Sequence, residues 1–187
     1  MSKQSFLTNQ FLIAMPTLGD PNFHETVTWI WAHNAEGAAG VVINRPMEIT
    51  LGEVFSQLDL EVTAPEAASQ TVFAGGPVQQ QRGFVVHRPI GEWQGTMQVA
   101  DDIGITSSQD IVAAMAQGKG PEYSLFALGC AGWGAGQLEA EFAANAWLTA
   151  AADASLLFET PPAERWRAAA RLIGIDINMI SGDAGHA

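Results

Sequence analysis

Cys130 is the only cysteine in the chain, and it stands where an apolar run gives way to glycines. A thiol at a strand-to-helix turn resembles a nucleophile elbow, which wants glycine two places before and two places after the nucleophile. Gly132 meets that requirement, but Leu128 occupies the other position. A free cysteine most often packs as a small buried hydrophobe, so a buried thiol is favoured over a nucleophile. Gly132, Gly134 and Gly136 lead into a stretch that reads as a helix, and backbone N–H groups in such a place can hold an anion. No Gly-Lys-Ser/Thr follows, and the third glycine of a dinucleotide fingerprint falls on Gln137. Glu139 and Glu141 already complement the helix dipole and would repel phosphate. These glycines are therefore read as permitting close packing around Trp133.

Metal and carboxylate chemistry finds little support. Asp20, His24 and Glu25 are near one another, but no H-x-H, H-E-x-x-H or cysteine pair exists. His24 is expected to hydrogen-bond the backbone instead. Asp101-Asp102 lacks the second carboxylate pair that a metal would need. No metal and no cofactor are expected. Eight Lys and Arg against 20 Asp and Glu give a net charge of −12, which argues against direct binding to nucleic acid or to an anionic membrane. Arg165, Arg167 and Arg171 cluster with Trp166 on one predicted helix, too few to offset that field, and no helix-turn-helix is legible. At 48% hydrophobic over 187 residues the chain reads as one globular domain, 1–187. One cysteine rules out a disulfide framework. The N-terminal apolar stretch is broken by Thr8-Asn9-Gln10 and closed by Pro16, so it reads as a first strand and not as a signal peptide.

The elements that must position these residues follow from periodicity and punctuation. Residues 11–15 form a strand. Residues 26–32 form another, with bulk on both faces, so both faces are expected to be covered. Asn34-Ala35-Glu36-Gly37 turns the chain back into a strand over 39–44, ended by Arg45-Pro46. Thr50-Leu51-Gly52-Glu53 has the spacing of a capping box and starts a short helix. Residues 59–70 read as a surface connection, and 71–73 as a strand running into the turn Gly75-Gly76-Pro77. Strands follow at 83–87, 96–99 and 103–105, and a helix capped by Ser107 or Ser108 at 109–117. Next come a strand at 123–128, a glycine-rich loop at 129–136, a helix at 137–144, a strand at 155–158 and a last helix from Thr160-Pro161-Pro162 to 173. Helices and strands intermix without strict alternation, which points to an α+β domain on a mixed, bent sheet.

Together these blocks resemble the YqgE/AlgH family of bacterial proteins. The resemblance is carried by FLIAMPTLGDPNFHETV (11–27), GAAGVVINRP (37–46), AGGPV (74–78), GFVVH (83–87), GCAGWGAGQLEAE (129–141) with NAWL (145–148), and the ending GHA (185–187). It covers nearly the whole chain in register. It implies an α+β fold whose highly bent sheet is partly rolled toward a barrel and flanked by helices, in a bacterial, cytoplasmic protein. It implies no reaction. One branch of the family is described as a transcriptional regulator of exopolysaccharide production. Cys130 departs from the family pattern, where an aromatic is usual, which weighs further against a shared nucleophile.

The candidate site is inferred from strand ends. Asn44 and Arg45, the turn Gly75-Gly76-Pro77, His87, Trp133 and Gln137 all fall at such ends. If the ends converge they form one cleft for a protein or small-molecule partner. A binding or regulatory protein is the favoured reading. An enzyme working from the same cleft is the alternative.

Overall fold

The computed structural model describes residues 6–180. The GHA ending lies outside them. Ten strands form: β1 Gln10–Ala14, β2 Val27–Asn34, β3 Gly37–Val42, β4 Pro46–Thr50, β5 Thr71–Ala74, β6 Val78–Arg88, β7 Thr96–Gln98, β8 Gly104–Thr106, β9 Tyr123–Gly134 and β10 Trp147–Ala151. Six helices accompany them: α1 Leu51–Gln57, α2 Pro65–Ala68, α3 Gln109–Ala116, α4 Gln137–Ala143, α5 Ala154–Phe158 and α6 Arg165–Arg171. The main strand order is β10-β1-β2-β3-β9-β6-β8-β7, with β5 pairing both β4 and β9. The β5–β9 pair is parallel and the rest are antiparallel. The sheet curls into a half-barrel, so the expected α+β class and bent mixed sheet are observed.

Strand alternation distributes the side chains among three cores. Phe11, Ile13, Trp29, Phe84, Val86, Leu125 and Ala127 point inside the half-barrel, where Leu156 and Leu157 of α5 and Ala169 and Ala170 of α6 meet them. Val85 and Phe126, one residue out of phase, face α1 and α3 through Phe55, Ile111 and Met115. Leu12, Ile30, Ala131 and Trp133 pack beneath Leu138 of α4. Both faces of β2 are therefore covered, as its two-sided bulk requires. Glu53 Oε2 accepts from the Thr50 backbone N–H at 2.9 Å, the expected capping contact at the start of α1.

Three expectations are corrected. Residues 59–70 are not merely a surface connection: they contain α2, and Ala64 and Ala67 are buried. The stretch 129–134 is strand, because β9 continues through it to pair with β3 from Ala131 to Gly134. Residues 155–158 belong to α5, whose start is set by Asp153 Oδ1 accepting from Leu156 N at 3.1 Å. A four-residue apolar run does not separate strand from helix by pattern alone, and the cap decides it. The strand in that region is β10, which completes a five-pair ladder with β1. Strand β4 starts at Pro46, where the sequence pattern gives only a strand end.

Candidate functional site

Two irregularities open one end of the half-barrel. Strand β2 carries a bulge between Ile30 and Ala32, leaving Trp31 half-buried there. In β6, Val78 stands opposite Cys130 and Gly83 opposite Leu128, so residues 79–82 bulge out against Gly129 alone. The crowding at Gly129 explains this. It has φ +82°, and a Cβ there would lie 2.6 Å from the Gly76 carbonyl oxygen and 3.2 Å from Gln80 Cα.

The bulge carries Arg82 over the open end. Its Nη1 donates to Gln79 Oε1 at 3.1 Å and its Nη2 to Ser107 Oγ at 2.9 Å. The guanidinium lies 5.3 Å from the centroid of Phe84, whose ring stacks on Trp31 at 5.4 Å. Met97 of the edge strand β7 is 50% exposed at the rim. The result is a cavity of about 320 Å³ with Cys130 in its wall. Burial pushes the Cys130 thiol up, with the Arg82 charge pulling the other way. Among the described residues no histidine or carboxylate lines the cavity. Cys130 is thus a protonated, buried thiol with no base beside it. The mouth can offer apolar area, π faces and a single cation, which suits binding. A second groove of about 610 Å³, lined by residues of α1, α3 and the same bulge, also touches Arg82.

The residues expected at the strand ends separate into three places. Arg45, Gly76 and Pro77 do come together, lining a cavity of about 250 Å³. Arg45 spends its guanidinium on the Asn22 and His24 carbonyls at 2.7 and 3.0 Å. Burial lowers its pKa and Asp20 pulls it back up. Asn44 ties the same loop to β2: Oδ1 accepts from Val27 N and Nδ2 donates to the Glu25 carbonyl, both at 2.9 Å. Gly75 and Gly76 pass against β9, where a Cβ on either would come within 2.3 Å of backbone.

His87 sits elsewhere, wholly buried. Its Nδ1 lies 2.9 Å from the Pro89 carbonyl and its Nε2 lies 2.7 Å from Thr106 Oγ1. A carbonyl only accepts, so Nδ1 carries the proton and Nε2 accepts from the Thr106 hydroxyl. Thr106 in turn contacts Thr96 Oγ1 at 2.7 Å. Burial lowers the His87 pKa, and the bond to Pro89 partly opposes this. His87 pairs with Ser124 and Ala38 with Trp133, so His87 and Trp133 neighbour points nine residues apart on β9. That is about 30 Å along an extended strand.

Trp133 and Gln137 form the third group. Trp133 is 5% exposed and is no surface anchor. Glu141 Oε1 accepts from the indole N–H groups of Trp133 and Trp147 at 3.1 and 2.9 Å, and its Oε2 accepts from Gln137 Nε2 at 3.0 Å. Gln137 Oε1 accepts from Gly134 N at 3.0 Å, so its amide is spent within its own turn and on Glu141. The eight residues therefore do not share one cleft. Trp31, Arg82, Phe84 and Met97, which line the mouth, were passed over. Their signal is faint: a polar Gln-Gln-Gln-Arg run inside a strand pattern is the one hint of the bulge.

His24 Nδ1 lies 3.0 Å from the Leu18 carbonyl, as the backbone-bonding reading expected. Among the described residues no group of three or more His, Cys, Asp or Glu is placed to hold a metal ion. No helix among them is long and apolar enough to cross a membrane.

Fold and mouth define a class: an α+β half-barrel, covered by helices and open at one apolar end. The chain belongs to the AlgH-like family, whose pattern it matches over residues 11–178. It is 51% identical to a UPF0301 protein of Nitrosococcus oceani and 55% identical to one of Thioalkalivibrio sulfidiphilus, each over the full length of both chains. Its fold is similar to the solution structure of the AlgH protein from Pseudomonas aeruginosa, at TM-score 0.81 and 46% identity, covering 100% of this chain and 99% of that one. A Corynebacterium diphtheriae protein shares the fold at TM-score 0.76 with 20% identity, covering 97% and 94% of the two chains.

Proposed function

We propose that this protein acts by binding in the cytoplasm, without catalysis, and takes an apolar, anion-bearing group of a small molecule or protein partner into the mouth beside Arg82. The observation that carries this is the Trp31–Phe84 stack capped by Arg82. It combines apolar area with one cation in a cavity of ligand size. The protonated Cys130 without a neighbouring base supports binding over nucleophilic chemistry. The net charge of −12 argues against DNA as the partner, so any regulatory role is exerted through another molecule.

The test is a titration with 1-anilinonaphthalene-8-sulfonate, an aromatic anion. Saturable binding is expected, weakened about tenfold by Arg82→Ala and blocked by Met97→Glu at the rim. Binding that ignores both substitutions would place the ligand elsewhere and end this reading.

A further inference from the structure

Arg165 is the most deeply buried cation among the described residues, at 5% exposure. It opens α6 and joins that helix to the sheet. Its Nε donates to the Thr160 carbonyl at 2.8 Å, its Nη1 donates to the Ile43 carbonyl, and its guanidinium lies 5.0 Å from the Phe73 centroid. None of these partners carries a charge. Among the described residues no carboxylate lies within ion-pair distance of it, although the chain holds 20 acidic residues. Buried charges in proteins are ordinarily paired, because removing an ion from water is costly. Burial accordingly lowers the guanidinium pKa, to about 10, so the group stays charged at neutral pH.

The guanidinium has donors to spare. It carries five N–H bonds, and Nη2 makes no hydrogen bond to a described residue. Nor is Nη2 among the unpartnered atoms sealed from solvent, since among the described residues Thr28 Oγ1 alone has that status. Arg165 lines a cavity of about 350 Å³ whose wall includes Thr71, Ser124, Phe73, Phe158 and Pro161. The hydroxyls of Thr71 and Ser124 have no hydrogen-bond partner among the described residues, so two further donors are available. Phe73, Phe158 and Pro161 supply apolar walls, and the space exceeds that of a bare inorganic ion. Glu159 stands exposed at the rim.

We propose that this cavity binds a small organic oxyanion, a carboxylate or a phosphate ester with an apolar body, whose charged group is forked by Arg165. A guanidinium edge matches two oxygens of either group. This site is separate from the half-barrel mouth: it adjoins Ser124 and Leu125 of β9, whereas the mouth adjoins Cys130 and Gly132.

The experiment titrates the full chain with phenyl phosphate, benzoate, inorganic phosphate and acetate at constant ionic strength. It is read by chemical shifts of the Arg165 side-chain N–H and by thermal shift. Saturable binding is expected for phenyl phosphate or benzoate, whichever oxyanion the cavity prefers, and weaker binding for the bare ions that leave the apolar walls unfilled. Arg165→Lys, which keeps the charge but loses the fork, weakens binding about tenfold or more. Arg167→Ala, an exposed arginine two residues on, leaves it unchanged. Should Arg165→Lys fail to fold, Glu159→Gln serves as the second variant. It removes a like charge from the rim, so binding tightens several-fold. No saturable binding by any of the four anions, binding indifferent to Arg165→Lys, or binding weakened by Glu159→Gln would each overturn the proposal. The result is independent of Arg82, so the reading of the mouth stands or falls separately.

Discussion

Gly76 crosses Cys130 so closely that a Cβ on Gly76 would lie 2.3 Å from both the carbonyl carbon and the carbonyl oxygen of Cys130. Gly76 also has φ +148°, a conformation that side chains rarely adopt. The two glycines of the Ala-Gly-Gly-Pro run and the glycine before Cys130 are thus one device. Gly75, Gly76 and Gly129 let β5 run beside β9 while the β6 bulge leaves on the other side. Gly76→Ala is expected to destabilise the protein by about 3 kcal/mol or more, measured as a lowered urea midpoint at unchanged slope. Gly19→Ala, where a Cβ meets nothing within 4 Å, is expected to stay within about 0.5 kcal/mol of the parent. Equal stabilities for the two would show that the crossing tolerates a side chain.

Glu141 holds two buried indoles with one carboxylate oxygen. Glu141→Ala removes the acceptor from both Trp133 and Trp147, which are 5% and 4% exposed. A buried donor left unmatched costs about 1–3 kcal/mol, so a total loss of about 3 kcal/mol is expected, with altered tryptophan fluorescence. Glu141→Gln keeps a carbonyl oxygen in place and should recover most of it. A Glu141→Ala protein as stable as the parent would mean water replaces the carboxylate.

His87 makes stability depend on pH. Its folded-state pKa lies below the ordinary value of 6.5, so the unfolded chain takes up its proton at higher pH than the folded one. Stability from this group is fully present above about 6.5 and falls as the pH drops from there toward the folded value. His87→Gln places an amide near the position of Nε2, beside the Thr106 hydroxyl, and does not titrate. Denaturation midpoints of the variant should therefore vary less between pH 7 and pH 5 than those of the parent. Parallel pH profiles would assign the acid sensitivity to other groups.

Local pattern alone made much of this protein legible. The N-terminal strand, the hairpin through Asn34 and Gly37, the capping box at Thr50 and the helix behind Ser108 were all readable, because each depends on residues a few positions apart. The resemblance of the motif blocks to the YqgE/AlgH family further implied a highly bent sheet partly rolled toward a barrel. Tertiary structure alone decided the course of β9 past Gly129: a run of glycines reads as loop until two neighbouring backbones are seen to need the space. It also decided that residues 155–158 are helix while Trp147–Ala151 is the strand, since the partner of β10 is β1 at the other end of the chain. The strand ends expected to share a cleft lie on different elements, and β3, β5 and β6 meet β9 at different registers. Sequence marks where a strand ends and carries no record of which register it joins. The mouth beside Arg82 arises from two bulges, and the cavity beside Arg165 from β5, β9 and α6 meeting, in each case through residues distant along the chain.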